Sequence, residues 1–229
     1  MMMNVDRHRG FARIVLLVVL VVLVGAVCYW QAPGSKLTTE ELETYLARMQ
    51  SDLPMPEAER SEFIKRLRSW GNKDDGKPVH MLNLIRFNEQ MVSVPGHPDF
   101  TGTAEEANAH YERVILPLLA ERGVYPIFAS VPQGLGPGSD AQTNLLGFEP
   151  ELEGWDRVLV VRYPTRRAFL DLASDPTYMK VVPFKLAAVD LGFVPLDKEY
   201  AIPDLRWLAA LMALAIYLIT LAAGCLRHR

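Results

Sequence analysis

The segment Val79–Phe87, VHMLNLIRF, constrains the fold of this chain more than any other stretch. In an extended strand Met81 and Ile85 fall on one face, and Leu82 and Leu84 fall on the other. A strand with one face in water alternates apolar and polar residues, so this pattern predicts a strand that is covered on both faces. In a chain of 229 residues, helices can cover one face, and a second subunit is the simplest cover for the other.

Charge and cysteine content exclude several classes of protein. The net charge of −3 and the isoelectric point of about 6.0 provide no basic surface that would attract nucleic acid. The two cysteines, Cys28 and Cys225, both lie in apolar runs near the chain ends. The middle of the chain therefore has neither a disulfide framework nor a thiolate zinc site, which suits an oxidising compartment.

Two apolar runs, Ile14–Trp30 and Trp207–Leu226, are each long enough to predict a transmembrane helix. Basic residues lie on the outer side of each run, and acidic residues dominate the inner flanks. The basic residues are Arg7, Arg9, Arg13, Arg227 and Arg229. Because excess Lys and Arg stay cytoplasmic, the pattern predicts cytoplasmic tails at 1–13 and 227–229 and an exported middle, with the lipid bilayer as a partner. The predicted location is the cytoplasmic membrane, with a periplasmic main domain.

Each apolar run has an alternative interpretation. The first could be a cleaved signal peptide, although no A-x-A cleavage site precedes Gln31. Lipid attachment at Cys28 is disfavoured because the preceding residues lack the usual leucine and small residue. The second run could be a buried core helix, but residues 227–229, which follow it, offer nothing to bury it.

The segment 31–76 predicts two short helices. Thr38-x-x-Glu41 has the form of a capping box and opens a helix that ends near Pro54. A second helix is expected from Glu57 to Trp70, and Gly71 ends it. These helices could form a spacer between the bilayer and the following domain, or they could pack on that domain. We assign 31–76 as a helical spacer.

The segment 77–204 predicts one α+β domain. The elements expected after the first strand are, in order, a helix, two strands, a helical region and a last strand at the sheet edge. Their bounds are Ala104–Arg122, Val124–Val131, Trp155–Pro164, a helix capped by Thr165 with a break at Ser174–Pro176, and Leu191–Leu196. The order βαββαβ is that of ferredoxin-like domains, in which both helices cover one face of an antiparallel sheet.

Several segments carry a family resemblance. GKPVHMLNLIRF, a helix with Tyr111 and Pro117, WDRVLVVRYPTRRAF and DPTY together resemble the dimeric α/β-barrel superfamily. They are most similar to a branch of unknown function with MLNL-x-x-F, W-D and P-[ST]-R segments, over roughly 77–195. The resemblance implies a homodimer with its sheets face to face and a cleft between sheet and helices. Superfamily members include oxygenases, haem enzymes and binding modules, so the resemblance transfers no activity.

Five residues are candidates for binding a ligand. Asn83 is the one polar side chain on its apolar strand face, and a buried amide must be hydrogen-bonded. Arg86 and Arg162 lie near strand ends and could clamp a carboxylate, or could pair with Asp156, Glu112 or an acid of a partner. The remaining two are His110 and Tyr111, on the apolar face of one helix, where they serve either the cleft or ordinary packing.

Other sequence features point to no specific chemistry. Gly134-x-Gly136-x-Gly138 lacks the helix and the lysine that a phosphate loop requires, so it predicts a plain loop. No His or carboxylate spacing indicates a metal site, and no cofactor is expected. No nucleophile motif is present. Arg166 and Arg167 open a helix where the helix dipole disfavours cations, which is consistent with an anion contact or with a solvated pair.

Three functions remain open from the sequence. The first is a membrane-anchored, extracytoplasmic domain that binds a small molecule. The second is an enzyme of the cofactor-independent monooxygenase or isomerase kind, with Asn83, Arg86, His110 and Tyr111 shaping its cleft. The third is a dimerisation scaffold that brings membrane partners together. Whether the protein is an enzyme is left undecided.

Overall fold

The structure is a computed structural model that describes residues 2–32, 34–96, 99–134, 143, 145, 153–197 and 205–226. The chain divides into two compact units, which we describe separately. The terminal unit comprises 1–32 and 199–229, and the central unit comprises 33–198. The predicted Gly134-x-Gly136-x-Gly138 loop lies largely outside the described residues.

The terminal unit consists of helices α1 (Met2–Trp30) and α7 (Leu205–Leu226). The Phe11–Trp30 part of α1 is long and apolar enough to cross a membrane, with a mean hydropathy of 3.0. Only 6% of it is buried, so it is not the core helix of a soluble domain. The apolar stretch of α7, Leu205–Leu221, is shorter. Among the described residues, the structure thus contains one helix that is long and apolar enough to be a candidate membrane span, at the N-terminal end.

The two terminal helices pack side by side. Small residues of α7 lie near branched residues of α1 at this contact. The residues at this contact are Leu17, Leu20, Val21, Val24, Ala210, Ala213, Leu214 and Tyr217. The contact accounts for the burial of Leu20, whereas most other α1 side chains between Phe11 and Trp30 are exposed.

The central unit begins with helices α2 (Thr39–Asp52) and α3 (Glu57–Gly71). The predicted capping box is present, because Thr38 Oγ1 accepts from Glu41 N at 3.2 Å and Glu41 Oε2 accepts from Thr38 N at 2.8 Å. Leu42, Leu46 and Met49 are fully buried and share one hydrophobic core with the sheet. Helices α2 and α3 therefore pack on the sheet within the central unit, which is the second of the two arrangements that the sequence left open.

The central unit contains a four-stranded antiparallel sheet with the strand order β2-β3-β1-β4. The strands are β1 (Val79–Phe87), β2 (Tyr125–Ser130), β3 (Arg157–Tyr163) and β4 (Val189–Leu196). Strand β1 is central and pairs with β3 and β4. Pro195 lies in β4, at an edge of the sheet, as the sequence predicts for a residue that cannot donate to a neighbouring strand. The α+β class is thus confirmed.

Helices α4 (Ala104–Glu121), α5 (Arg166–Ala173) and α6 (Pro176–Ala188) follow the predicted order. Thr165 caps α5 by accepting from Ala168 N at 3.1 Å, and Asp175 caps α6. The helices pack on the face of the sheet that carries the odd-numbered residues of β1. Val79, Met81 and Ile85 on that face are buried in the core.

The opposite face of the sheet carries an apolar row that crosses all four strands. The register aligns Phe128, Val160, Leu82 and Val194 in this row. Phe128 and Val194 are 53% and 44% exposed, and the two central residues are half-buried. None of the four belongs to the core cluster formed by the described residues. Within one chain, β1 is therefore fully covered on one face only.

Candidate functional site

A cavity of about 390 Å³ lies between the sheet and the helices of the central unit. Helices α3 to α6, the segment between α2 and α3, and all four strands contribute residues to the wall. The apolar lining residues are Leu53, Met55, Phe63, Ile115, Leu116, Leu119, Pro126, Leu159, Val161, Phe169, Leu172, Ala173, Leu186, Leu191 and Phe193. The volume is at the lower end of the range of about 300–1,000 Å³ found for small-molecule sites.

A few polar side chains converge on this apolar cavity. They come from β1, α4, β3 and α6, so the fold assembles them from distant parts of the sequence. These side chains are Asn83, Tyr111, Glu112, Arg157, Tyr163, Tyr178 and Lys185. An apolar cavity with a small number of convergent polar groups is typical of ligand sites.

Asn83 connects the central strand to the lysine of helix α6. Its Nδ2 donates to Met81 O at 3.2 Å, and its Oδ1 accepts from Lys185 Nζ at 3.2 Å. The same ammonium lies 5.3 Å from the centre of the Tyr111 ring, in cation–π geometry. Asn83 thus contacts the Lys185 ammonium, which is the only charged group of α6 in the described cavity lining.

The pKa of the Lys185 ammonium falls from 10.5 to about 8. Removal of the ammonium from water is the main cause, Arg157 lowers the pKa further, and Glu112 opposes the change. At neutral pH this lysine is still mostly protonated. The cavity therefore contains a positive charge in largely apolar surroundings.

Glu112 and Arg157 form an ion pair at the cavity wall. Arg157 Nη1 lies 2.6 Å from Glu112 Oε1, and the side chains are about 30% exposed. Asn108 Nδ2 donates to the same carboxylate oxygen at 3.0 Å. The Glu112 carboxylate is thus committed to Arg157 and Asn108, and the two opposite charges of the pair cancel.

Three tyrosines complete the polar part of the wall. The Tyr111 and Tyr178 rings are 6.2 Å apart and nearly perpendicular. Burial raises the pKa of each of the Tyr111, Tyr163 and Tyr178 hydroxyls. These hydroxyls are therefore neutral at physiological pH and act as hydrogen-bond donors and acceptors, not as charges.

Of the five predicted ligand residues, Asn83 and Tyr111 line the cavity, and Arg86, His110 and Arg162 are not among its described lining residues. Arg86 bonds to Asp190 at 3.2 Å and stacks over Trp155, so its acid partner is not one of those that we predicted.

The other two predicted residues, His110 and Arg162, contact aromatic side chains of the domain. His110 packs on the Phe184 ring, with 4.6 Å between centroids. Arg162 is buried on the face of the sheet opposite the helices, with its guanidinium 5.5 Å from the centre of the Tyr125 ring. Both are placed by contacts with aromatic side chains, outside the cavity lining.

The two arginines at the start of α5 have protein partners. Arg166 Nη1 lies 3.5 Å from Asp74 Oδ1 and bonds to Lys73 O at 2.6 Å. Arg167 pairs with Glu41 and bonds to Lys36 O at 3.0 Å. These residues connect α5 to the helical segment at the start of the central unit, and neither an anion site nor a solvated pair is needed to explain them.

Lys185 was not among the residues predicted from the sequence. The signal was present, because Tyr178, Val181, Val182 and Lys185 follow the helical period of the buried side of α6. A lysine at such a position places its ammonium toward the core. Polar residues on apolar faces identify this site better than strand-end arginines do.

The comparisons with known proteins assign no activity. No family model and no curated protein matches the chain. The crystal structure of RPA0582, a protein of unknown function from Rhodopseudomonas palustris, is 28% identical, covers 60% of this chain and 94% of its own, and has a TM-score of 0.49. The structure of methylated RPA0582 is also 28% identical, covers 59% and 91%, and has a TM-score of 0.48.

Proposed function

We propose that this protein is a membrane-anchored domain that binds a small molecule in the cavity between its sheet and helices. The observation that carries the proposal is the cavity of about 390 Å³ with its apolar walls and convergent polar groups. A ligand in this cavity would bury its apolar part against leucine, methionine and phenylalanine side chains, which contributes about 25 cal/mol per Å². Asn83 and Lys185 would orient its polar end.

A thermal-shift screen tests ligand binding. The full chain is reconstituted in lipid nanodiscs and its melting temperature is followed against small acids, alcohols, aromatics, haem and flavin. A ligand at about one hundred times its dissociation constant stabilises the folded state by about 2.7 kcal/mol, which is readily measured. We expect at least one class of small apolar compounds to raise the melting temperature.

A cavity-filling variant determines whether such a compound binds at this site. Ala173 is 4% exposed and lines the cavity, so Ala173→Leu places extra volume there. Ala120→Leu adds the same atoms to an exposed position of α4 and is the control. The response should disappear in Ala173→Leu and persist in Ala120→Leu. The absence of any response in the screen, or a response that survives in Ala173→Leu, would contradict the proposal.

The same proposal includes the ferredoxin-like fold and a homodimer with the sheets face to face. The order β2-β3-β1-β4 with antiparallel neighbours and helices on one face supports the ferredoxin-like assignment. The row Phe128, Val160, Leu82 and Val194 is an apolar surface that a second copy would cover. Such a pair of sheets is a dimeric α/β barrel.

We further infer a two-pass topology in which both tails are cytoplasmic and the central unit is extracytoplasmic. The basic tails support it, and α7, with 22 residues, is long enough to cross the hydrocarbon core of about 30 Å. Val92→Cys, at an exposed site in a chain without Cys28 and Cys225, should react with an impermeant maleimide in intact cells. Reaction only after lysis would show the opposite orientation.

A further inference from the structure

The polar side chains of the cavity carry unequal numbers of positive and negative charges. Glu112 is the only carboxylate among the described lining residues, and it pairs with Arg157 at 2.6 Å. Lys185 contacts Asn83 Oδ1 and the Tyr111 ring, which carry no net charge. Within the described residues, no carboxylate lies within 4.0 Å of the Lys185 ammonium. The cavity thus holds one cation that its own side chains do not neutralise.

An uncompensated charge in an apolar cavity favours an anionic ligand. Removal of an ammonium from water is costly unless a counter-charge is present, and attraction between charges increases as the surroundings become less polar. The energetic cost is visible in the low pKa of Lys185. A ligand anion that contacts the ammonium would offset this cost and would form a charge-assisted hydrogen bond.

The hydrogen-bond donors of the cavity favour a ligand with a single negative charge. Phosphate esters carry up to two charges and three acceptor oxygens, and their sites usually combine arginine pairs or backbone N–H groups. Here the described lining supplies one unpaired ammonium and the neutral tyrosine hydroxyls. A carboxylate matches this set better, because it needs one counter-charge and a few donors. The surrounding leucine, phenylalanine and methionine side chains match a hydrocarbon tail.

We propose that the cavity binds an apolar monocarboxylic acid. The carboxylate contacts Lys185 Nζ, and the hydrocarbon or aromatic part lies against the apolar residues of α4 and α5. Asn83 positions the ammonium through its Oδ1 atom, and its other hydrogen bond among the described residues goes to the neutral Met81 carbonyl. This inference rests on the proposed function and specifies the chemical class of its ligand.

A matched pair of compounds tests the inference. Binding of 4-phenylbutanoate and 4-phenylbutan-1-ol to the full chain in nanodiscs is measured by calorimetry at pH 7, with empty nanodiscs subtracted. The acid should bind about tenfold tighter than the alcohol, because a hydrogen bond between an ammonium and a carboxylate is stronger than one between an ammonium and a neutral hydroxyl. This comparison uses the wild-type protein and depends on no substitution.

Two variants assign the preference to Lys185. Lys185→Met keeps the length of the side chain and removes the charge, so it should abolish the preference for the acid and leave binding of the alcohol nearly unchanged. Lys180→Met removes an exposed charge from the same helix and should change neither affinity.

Three outcomes would overturn the inference. Equal affinities for acid and alcohol, or an acid preference that persists in Lys185→Met, would show that the ammonium does not select a carboxylate, although the cavity would still bind small molecules. Binding of neither compound would exclude this ligand class as represented by the probe. In that case the screen with the Ala173→Leu variant decides separately whether the cavity binds any ligand.

Discussion

Lys185 is a positively charged residue that the fold places among apolar side chains, so its titration is linked to stability. Its pKa is lower in the folded chain, at about 8, than the ordinary value of 10.5. Between these values the unfolded chain binds more protons than the folded chain, and stability rises with pH. Below about pH 8 the folded state bears the full free-energy cost of keeping the charged ammonium away from water. At about 1.4 kcal/mol per pH unit it amounts to about 3 kcal/mol.

Lys185→Met should therefore stabilise the protein at pH 7. The expected gain is about 2 kcal/mol, because loss of the hydrogen bond with Asn83 offsets about 1 kcal/mol of the relief. The measurement is the urea unfolding midpoint of the full chain in nanodiscs, followed by tryptophan fluorescence. The advantage of the variant over the wild type should shrink between pH 8 and 10.5. An advantage that does not depend on pH would contradict the linkage.

At the scale of single residues, the sequence predicted the site in part. Asn83 could be found because an amide on an apolar strand face has to be hydrogen-bonded. Lys185 was missed because its aliphatic stem fits the apolar stripe of α6, so the helical pattern continues through it. Arg86 was placed at a possible site, but its partners Gly154 and Asp190 are distant in sequence. No local pattern predicts such partners.

At the scale of elements, the arginines at the start of α5 attach the first two helices of the central unit to the rest of the domain. Arg166 contacts Asp74, whose side chain is 2% exposed and which also accepts from Leu37 N at 2.8 Å. Arg167 contacts Glu41 in a more exposed pair. Electrostatic contacts thus reinforce the apolar packing of α2 on α5.

Loss of the buried pair should destabilise the domain much more than loss of the exposed pair. Arg166→Met leaves the Asp74 carboxylate buried without its cation, which typically costs about 3–5 kcal/mol. Arg167→Met removes a half-exposed pair and should cost about 1 kcal/mol or less. The urea unfolding midpoints of the two variants provide the comparison. Similar costs for both would mean that Asp74 is neutralised by other groups.

Glu41 should contribute to a loss of stability in acid. The hydrogen bond from Arg167 and the one from the Thr38 backbone lower the pKa of Glu41 from 4.5 to about 2. A lowered carboxyl pKa gives stability that is present above pH 4.5 and is lost as pH falls toward 2. Glu41→Gln should therefore be less stable than wild type at pH 6, with a smaller difference at pH 2. Glu40→Gln, on the same helix, is the control.

The bounds of the elements show where sequence patterns are ambiguous. β1 was predicted over its full length, and the α5–α6 break was predicted at the Ser174–Pro176 segment. β4 begins at Val189, two residues before the prediction. The reason is that Val189 continues the helical spacing of Val182 and Leu186, and α6 passes into β4 without a turn. Only the pairing with β1 distinguishes the two structures there.

At the scale of the whole molecule, the sequence predicted a strand covered on both faces, whereas one chain covers β1 fully on one face and partly on the other. The second face carries Phe128 and Val194 with about half of their surface exposed. A pattern of apolar residues reports that a face is covered, but it does not distinguish a cover from the same chain from one supplied by a partner. For this reason the fold class could be predicted from sequence alone, and the assembly remains a proposal.

The proposed dimer can be tested at the edge of the apolar row. Val194→Lys places a charge at a 44% exposed position of β4, which a single chain tolerates. In the face-to-face dimer the same charge would be buried without a partner, so the dimer should dissociate. The molar mass of the full chain in detergent, measured by light scattering, should fall by half. Val92→Lys, at a 49% exposed position outside the sheet, should leave it unchanged. If both variants keep the mass of a dimer, the subunits do not associate through this face. If the wild type is itself a monomer, no dimer forms, and the apolar row has another function, such as contact with a different protein.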